Sequence, residues 1–139
     1  MDTIDVYSLL KIILERVETG VVWRLDGSAN LSVQGVAVLI KDLEIKTNRY
    51  GLGVFKKALK EFFIREYSNE ELGEDVVEFS FQGFPLRVVH HYKYNLLHRI
   101  KKISSRGLAL PVLPLREARE LYAALGREKT VAVLDRHLG

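Results

Sequence analysis

The chain has 139 residues, 47% hydrophobic and 28% charged, with a formal net charge of +3. That describes one globular domain over 1–139, able to bury a core and too apolar for a disordered chain. The absence of cysteine excludes disulfides and thiolate metal sites, and so small a net charge admits an anionic ligand without demanding nucleic acid.

The opening stretch MDTIDVYSLLKIILERVETG is apolar in patches, but Asp2, Asp5, Lys11, Glu15 and Arg16 interrupt it. No secretory core and no membrane-spanning run survives the interruption, so a cytoplasmic location is expected. Tyr7, Leu10, Ile13, Leu14 and Val17 recur at three-to-four spacing and predict a helix from Val6 to Val17, closed by Gly20. A short strand, Val21 to Leu25, follows and stops at Asp26-Gly27-Ser28. Small and polar residues up to Gly35 predict a short helix capped by Ser28 or Asn30.

The next strand, Val38 to Thr47, carries two acids, Asp42 and Glu44. Strand side chains repeat with period two, so both carboxylates are expected on one face. Two like charges side by side need something positive to hold them, and a divalent metal is the usual partner.

TNRYGLG reads as a turn opening an amphipathic helix from Leu52 to Tyr67, with Phe55, Leu59, Phe62 and Phe63 facing inward. SNEELGED reads as an exposed acidic loop, and VVEFSFQ and PLRVVHHY, on either side of Gly83-Phe84, predict a β-hairpin. Trp23, Phe79 and Phe81 are expected in the core. His90 and His91 are strand neighbours that point to opposite faces, which keeps them from sharing one metal. Between Tyr94 and Ser105, the residues Leu96, Leu97, Ile100 and Ile103 suit a helix or a twisted strand. LPVLPL then leads into a helix from Arg116 to Leu125, and after Gly126 a last helix runs from Lys129 to His137. This order predicts an α/β or α+β fold, a small mixed β-sheet with helices packed on it.

Gly27-Ser28, Gly35 and Asp42-Leu43-Glu44, followed by Ile45-Lys46-Thr47-Asn48, form a recognisable set. It resembles the minimal nucleotidyltransferase domain of the DNA polymerase β-like superfamily. Within that superfamily the resemblance is nearest to predicted nucleotidyltransferases related to aminoglycoside and lincosamide adenylyltransferases. LPLREARELYAALGREKTVAVL, from Leu113 to Leu134, is similar to the stretch that precedes the final helix in that group.

The resemblance implies metal-dependent transfer of a nucleoside monophosphate from a nucleoside triphosphate to an acceptor that the sequence does not name. In it Asp42 and Glu44 are the catalytic residues and hold Mg²⁺ or Mn²⁺, whose role is to clamp the attacking and leaving oxygens. Gly27 and Ser28 hold the phosphates, the glycine by close backbone approach and the serine by its hydroxyl. Arg127 and Lys129 are further phosphate-binding candidates that balance developing charge. One minimal domain leaves little room for an acceptor lobe, so a homodimer or a partner subunit is expected to complete the site.

Three positions depart from the family pattern. The second acid is Glu44 where the group carries Asp, and Asn48 follows Thr47 in place of an acid. The third carboxylate, expected near Leu86 to Val88, is replaced by Arg87. Glu78, on the neighbouring run, is a further metal-ligand candidate that reaches the acids only in a shifted register. Arg87 paired with Asp42 and Glu44 in place of an ion defines the alternative. That alternative is a catalytically degenerate relative that binds nucleotide, RNA or a protein partner. The stretch 87–106 holds no acid and interleaves Lys and Arg with Tyr92 and Tyr94, a composition suited to RNA. The plainer reading is a solvated face that balances the acidic loop.

Overall fold

The computed structural model describes residues 5–94, 97 and 99–139. Five strands make the main sheet: β1 (Trp23–Asp26), β2 (Leu43–Thr47), β3 (Phe63–Asn69), β4 (Glu74–Phe81) and β5 (Phe84–His91). Their order is β1-β2-β5-β4-β3. Only β2 and β5 run parallel; the other neighbouring pairs are antiparallel. The sheet is mixed because its connections differ in length. Gln82 and Gly83, at φ 52° and 87°, turn β4 straight back into β5, the two positive φ values that a tight hairpin needs. From β2 to β5 the chain first passes through α3 (Arg49–Ala58), β3 and β4.

One face of this sheet is apolar. Trp23, Leu25, Leu43, Ile45, Val77, Phe79, Leu86 and Val88 pack there with Leu9, Leu10 and Ile13 of α1 (Val6–Arg16) and Phe55 of α3. Trp23 meets Phe55 edge to face, ring centroids 5.9 Å apart. A separate two-stranded ladder, β6 (Lys101–Ser105) and β7 (Leu108–Val112), adds Leu110 and Val112 to the same core.

A smaller apolar cluster of Leu31, Val36, Leu113, Ala118 and Leu134 joins α2 (Gly27–Ser32), α4 (Leu115–Ala124) and α5 (Glu128–Leu138). Its polar fastening is Asn30, which is buried inside α2 and does not cap it. The Asn30 amide donates to the Leu113 carbonyl at 3.0 Å, and Leu113 N–H donates back to the amide oxygen at 2.8 Å. A side chain thus does for Leu113 what a neighbouring strand would do.

Two expected elements are redrawn by non-local pairing. The helix expected over Leu52–Tyr67 begins earlier, at Arg49, because the Asn48 side chain accepts the Gly51 N–H at 2.8 Å. It ends at Ala58, and after a 3₁₀ turn at Lys60–Phe62 the chain becomes β3. Phe63, Arg65 and Tyr67 then pair with Phe79, Glu78 and Val76 of β4; that ladder outweighs the local helical spacing. The acidic loop contracts in the same way, because Glu74 is buried within β4. The strand expected from Val38 starts only at Leu43. Lys101–Ser105 settles the ambiguous stretch as a strand there, while Leu96 lies outside the described residues. Among the described residues no helix is long and apolar enough to cross a membrane.

Candidate functional site

The sheet face opposite the core carries the charges. Register places Asp26, Glu44, Arg87 and Glu78 side by side across β1, β2, β5 and β4, and Arg65 of β3 completes the row. Cross-strand neighbours of this kind sit about 5 Å apart, close enough for their charges to govern one another. One step along, Arg24 faces Lys46.

The acids are held by cations from the chain itself. Lys46 Nζ lies 3.3 Å from Glu44 Oε1 and 3.5 Å from Asp26 Oδ2, bridging the two carboxylates. Arg87 donates to the same Glu44 oxygen at 3.3 Å and lies 3.8 Å from Glu74. Arg24, which is fully buried, donates to Asp26 Oδ1 at 3.3 Å. Burial by itself would lower the Arg87 pKa, but Glu44, a hydrogen bond with Tyr67 and Glu74 outweigh it and hold the guanidinium above its ordinary value.

His91 behaves in the opposite way. Burial and then the Lys46 charge push its pKa down to about 4. It is therefore neutral at pH 7, and its 3.7 Å approach to Glu74 is not an ion pair. It serves instead as a hydrogen-bond partner for Lys46 Nζ at 2.9 Å. Tyr122 of α4 leans over the same network. Burial first, then Asp26 and Glu44, raise its pKa to about 12.

The acid beside Glu44 is therefore Asp26 and not Asp42. Asp42 lies in a bend before β2, exposed, with no hydrogen bond or ion pair to another described residue. The expectation that Asp42 and Glu44 share a strand face fails, because β2 begins only at Leu43. One signal could have revealed Asp26. Arg-Leu-Asp at the end of one strand and Glu-Ile-Lys in the next become alternating opposite charges when laid antiparallel. Glu78 faces Arg87 without any register shift, but its carboxylate is taken by Arg65 at 3.0 Å. Arg87 lies beside Glu44 in register, and it pairs with Glu44 alone of the two predicted acids.

This donor set does not fit a two-metal site as arranged. Glu44 Oε1 already meets Lys46 and Arg87, and Asp26 meets Arg24 and the same Lys46. Among the described residues no three Asp, Glu or His side chains converge as metal ligands.

The phosphate-binding candidates fare differently. Gly27, Ser28, Arg127 and Lys129 line one cavity of about 320 Å³, with Tyr122 and Thr130 beside them. Two local features bring these distant residues together. Gly27 takes φ +62°, and a Cβ there would stand 3.4 Å from Glu44 Oε2, so the turn lies directly against the ionic row. At the end of α4, Gly126 is left-handed and Arg127 N–H donates back to the Tyr122 carbonyl at 2.9 Å. That closure turns the chain onto Gly27 as α5 begins.

The architecture is that of the nucleotidyltransferase-like fold. A candidate nucleotidyltransferase from Thermotoga maritima matches with a TM-score of 0.74 at 23% identity, over 95% of this chain and 91% of that one. The lincomycin-bound lincosamide antibiotic adenylyltransferase LnuA matches at 0.66 and 9% identity, over 96% and 98%. The antibiotic-resistance factor ANT(2″)-Ia matches at 0.63 and 10% identity, over 96% and 82%. No protein-family model matches the chain, nor does any curated protein sequence. Similarity at these identities establishes the fold.

Proposed function

We propose that this chain is a nucleotide-binding protein on a nucleotidyltransferase-like fold, in which side-chain cations hold the acids that would otherwise hold a metal. The observation that carries the reading is the Glu44 carboxylate, 3.3 Å from both Lys46 and Arg87. A carboxylate paired in this way is neutralised locally and is a poor ligand for a further cation. The triphosphate or diphosphate of the nucleotide would lie against Gly27 and Ser28, with Arg127 and Lys129 supplying positive charge from across the cavity.

Metal-dependent transfer of a nucleoside monophosphate to an acceptor is the second reading, and Asp42 supports it. Its carboxylate is exposed and unpaired among the described residues, two positions from Glu44. In that reading Asp42 and Glu44 take Mg²⁺ or Mn²⁺ once Arg87 leaves Glu44.

One thermal-shift experiment separates the two readings. Each nucleoside triphosphate is titrated with and without Mg²⁺ or Mn²⁺ into wild type, Ser28→Ala/Arg127→Ala and Asp42→Asn/Glu44→Gln. A ligand that binds the native state raises Tm by mass action. A shift that needs no divalent ion and is lost in Ser28→Ala/Arg127→Ala supports binding alone. A shift that needs the ion and is lost in Asp42→Asn/Glu44→Gln supports transfer and discards the first reading. No shift under any condition removes both.

A further inference from the structure

At the other end of β2 lies a larger cavity, about 480 Å³, lined by the residues where β2 and β5 end. Gly27 and Ser28 adjoin the start of β2, since Asp26 pairs with Glu44. The length of β2 therefore separates the two cavities by roughly 13 Å, too far for one phosphate to serve both. Beyond this edge the paths of the two parallel strands diverge, β2 into α3 and β5 towards β6. Crevices at the carboxyl ends of adjacent parallel strands, where the connections part, are where open sheets receive ligands.

The lining is cationic. Among the described residues Lys46, Arg49 and Lys93 contribute to it and no carboxylate does, although the chain has 18 acidic residues. Lys46 is engaged with Asp26 and Glu44, but the other two cations are available. Arg49 is exposed and makes no hydrogen bond or ion pair with a described residue. Lys93 donates to the Glu70 carbonyl at 2.7 Å, a contact that leaves its charge unneutralised.

Beside the cations stand two aromatic rings. Tyr92 is 42% exposed and Tyr94 is 63% exposed, which leaves both rings open to stacking a flat partner. His91 lines the floor of the cavity with its Nε2 engaged by Lys46 Nζ at 2.9 Å and its Nδ1 buried. The neighbouring His90 Nδ1 lies 3.4 Å from Asp75 but out of hydrogen-bond alignment.

From this combination we infer a second ligand site that takes a nucleoside phosphate unit. The phosphate lies between Arg49 and Lys93, and the base stacks on Tyr94. The unit is either a free mononucleotide or one residue of a single-stranded RNA, which present the same phosphate and base. This inference does not depend on what fills the Gly27–Ser28 cavity.

The probes are uridine 5′-monophosphate, followed by calorimetry, and a fluorescein-labelled hexauridylate, followed by anisotropy, each titrated into the full chain at low salt. Arg49→Ala/Lys93→Ala and Tyr94→Ala alter exposed side chains, and their thermal midpoints check that they fold. Arg49→Gln/Lys93→Gln stands in if the alanine pair does not. Wild type is expected to bind at least one probe. Binding should weaken at least tenfold in Arg49→Ala/Lys93→Ala, about tenfold in Tyr94→Ala, and not at all in Ser28→Ala/Arg127→Ala. Equal affinity for the two probes identifies a mononucleotide site, and tighter hexamer binding identifies a strand; either supports the inference. No binding of either probe at millimolar concentration overturns it, as does binding lost in Ser28→Ala/Arg127→Ala but kept when Arg49 and Lys93 are removed.

Discussion

Replacing Arg87 with Gln tests whether one guanidinium lets Glu44, Glu74 and Glu78 share a sheet face. Arg87 lies 3.3 Å from Glu44 and 3.8 Å from Glu74, and it faces Glu78 across the β4–β5 ladder. A hydrogen bond to a charged group contributes about 1.5–3 kcal/mol, and its loss exposes the acids to mutual repulsion. The Arg87 side chain is 32% exposed, and solvent screening brings the expected loss to about 2 kcal/mol. Unfolding entropy near 2 cal/mol/K per residue, for a chain of this length, converts that into a fall in Tm of about 7 °C. Calorimetry of Arg87→Gln, Glu44→Gln and the double variant measures the loss and the coupling together. The double variant should be less destabilised than the sum of the singles, because it removes an acid along with its cation. Millimolar Mn²⁺ should recover stability in Arg87→Asp, where the row gains a carboxylate, and leave wild type unmoved. A Tm for Arg87→Gln within about a degree of wild type, or Mn²⁺ stabilising wild type as much as the variant, refutes the reasoning.

Three other perturbations follow from single contacts. His91 takes up its proton near pH 6.5 when unfolded but only at about 4 when folded. Its contribution is therefore intact above pH 6.5 and is lost as pH falls towards 4, by about 3 kcal/mol in all. Urea unfolding of wild type and His91→Asn across that range should give diverging stabilities, and parallel curves count against the assignment. Asn30→Leu leaves the Leu113 N–H buried without its acceptor and should cost about 2 kcal/mol in urea, whereas a loss under about 0.5 kcal/mol contradicts the fastening. Gly51→Ala would gain about 1 kcal/mol of helix propensity on an open surface. Here the new Cβ collides with Thr47 Oγ1, which donates to the Val22 carbonyl at 2.7 Å. A net loss of about 2 kcal/mol is expected, and a stabilised variant contradicts the packing.

What the sequence discloses is what local rules control. The first helix, the Gln82-Gly83 hairpin and the paired C-terminal helices follow from periodicity and turn residues, and they sit within a residue or two of expectation. Phe63 to Asn69 defeats that approach, because its helical spacing yields to pairing with a strand that arrives later in the chain. The phosphate-binding candidates Gly27, Ser28, Arg127 and Lys129 are legible as motif pieces at the two ends of the domain, and the fold closes them into one cavity. The acids are less legible. Asp42 and Glu44 look like a pair only while the strand is assumed to start at Val38. Asp26 becomes the partner once antiparallel register is known, and no spacing within one segment encodes register.

The single parallel contact in the sheet also has a kinetic side. β3, β4 and β5 are consecutive and joined by short turns, so they can pair early with little loop closure. Glu44 reaches Arg87 across 43 residues of chain, a separation that places the docking of β2 late in folding. Arg87 is then already on the exposed seam of the β3–β5 meander, facing Glu78, when β2 arrives. A slip of β2 by one residue would set Leu43 or Ile45 against that cation in place of Glu44. The guanidinium therefore marks the register for the incoming strand. Its partner Glu44 should act after the rate-limiting barrier, so that Glu44→Gln speeds unfolding and leaves the refolding rate nearly unchanged in stopped-flow chevrons. A slowed refolding arm would instead place β2 in the folding nucleus. The same contact that neutralises Glu44 would then also be the one that completes the sheet.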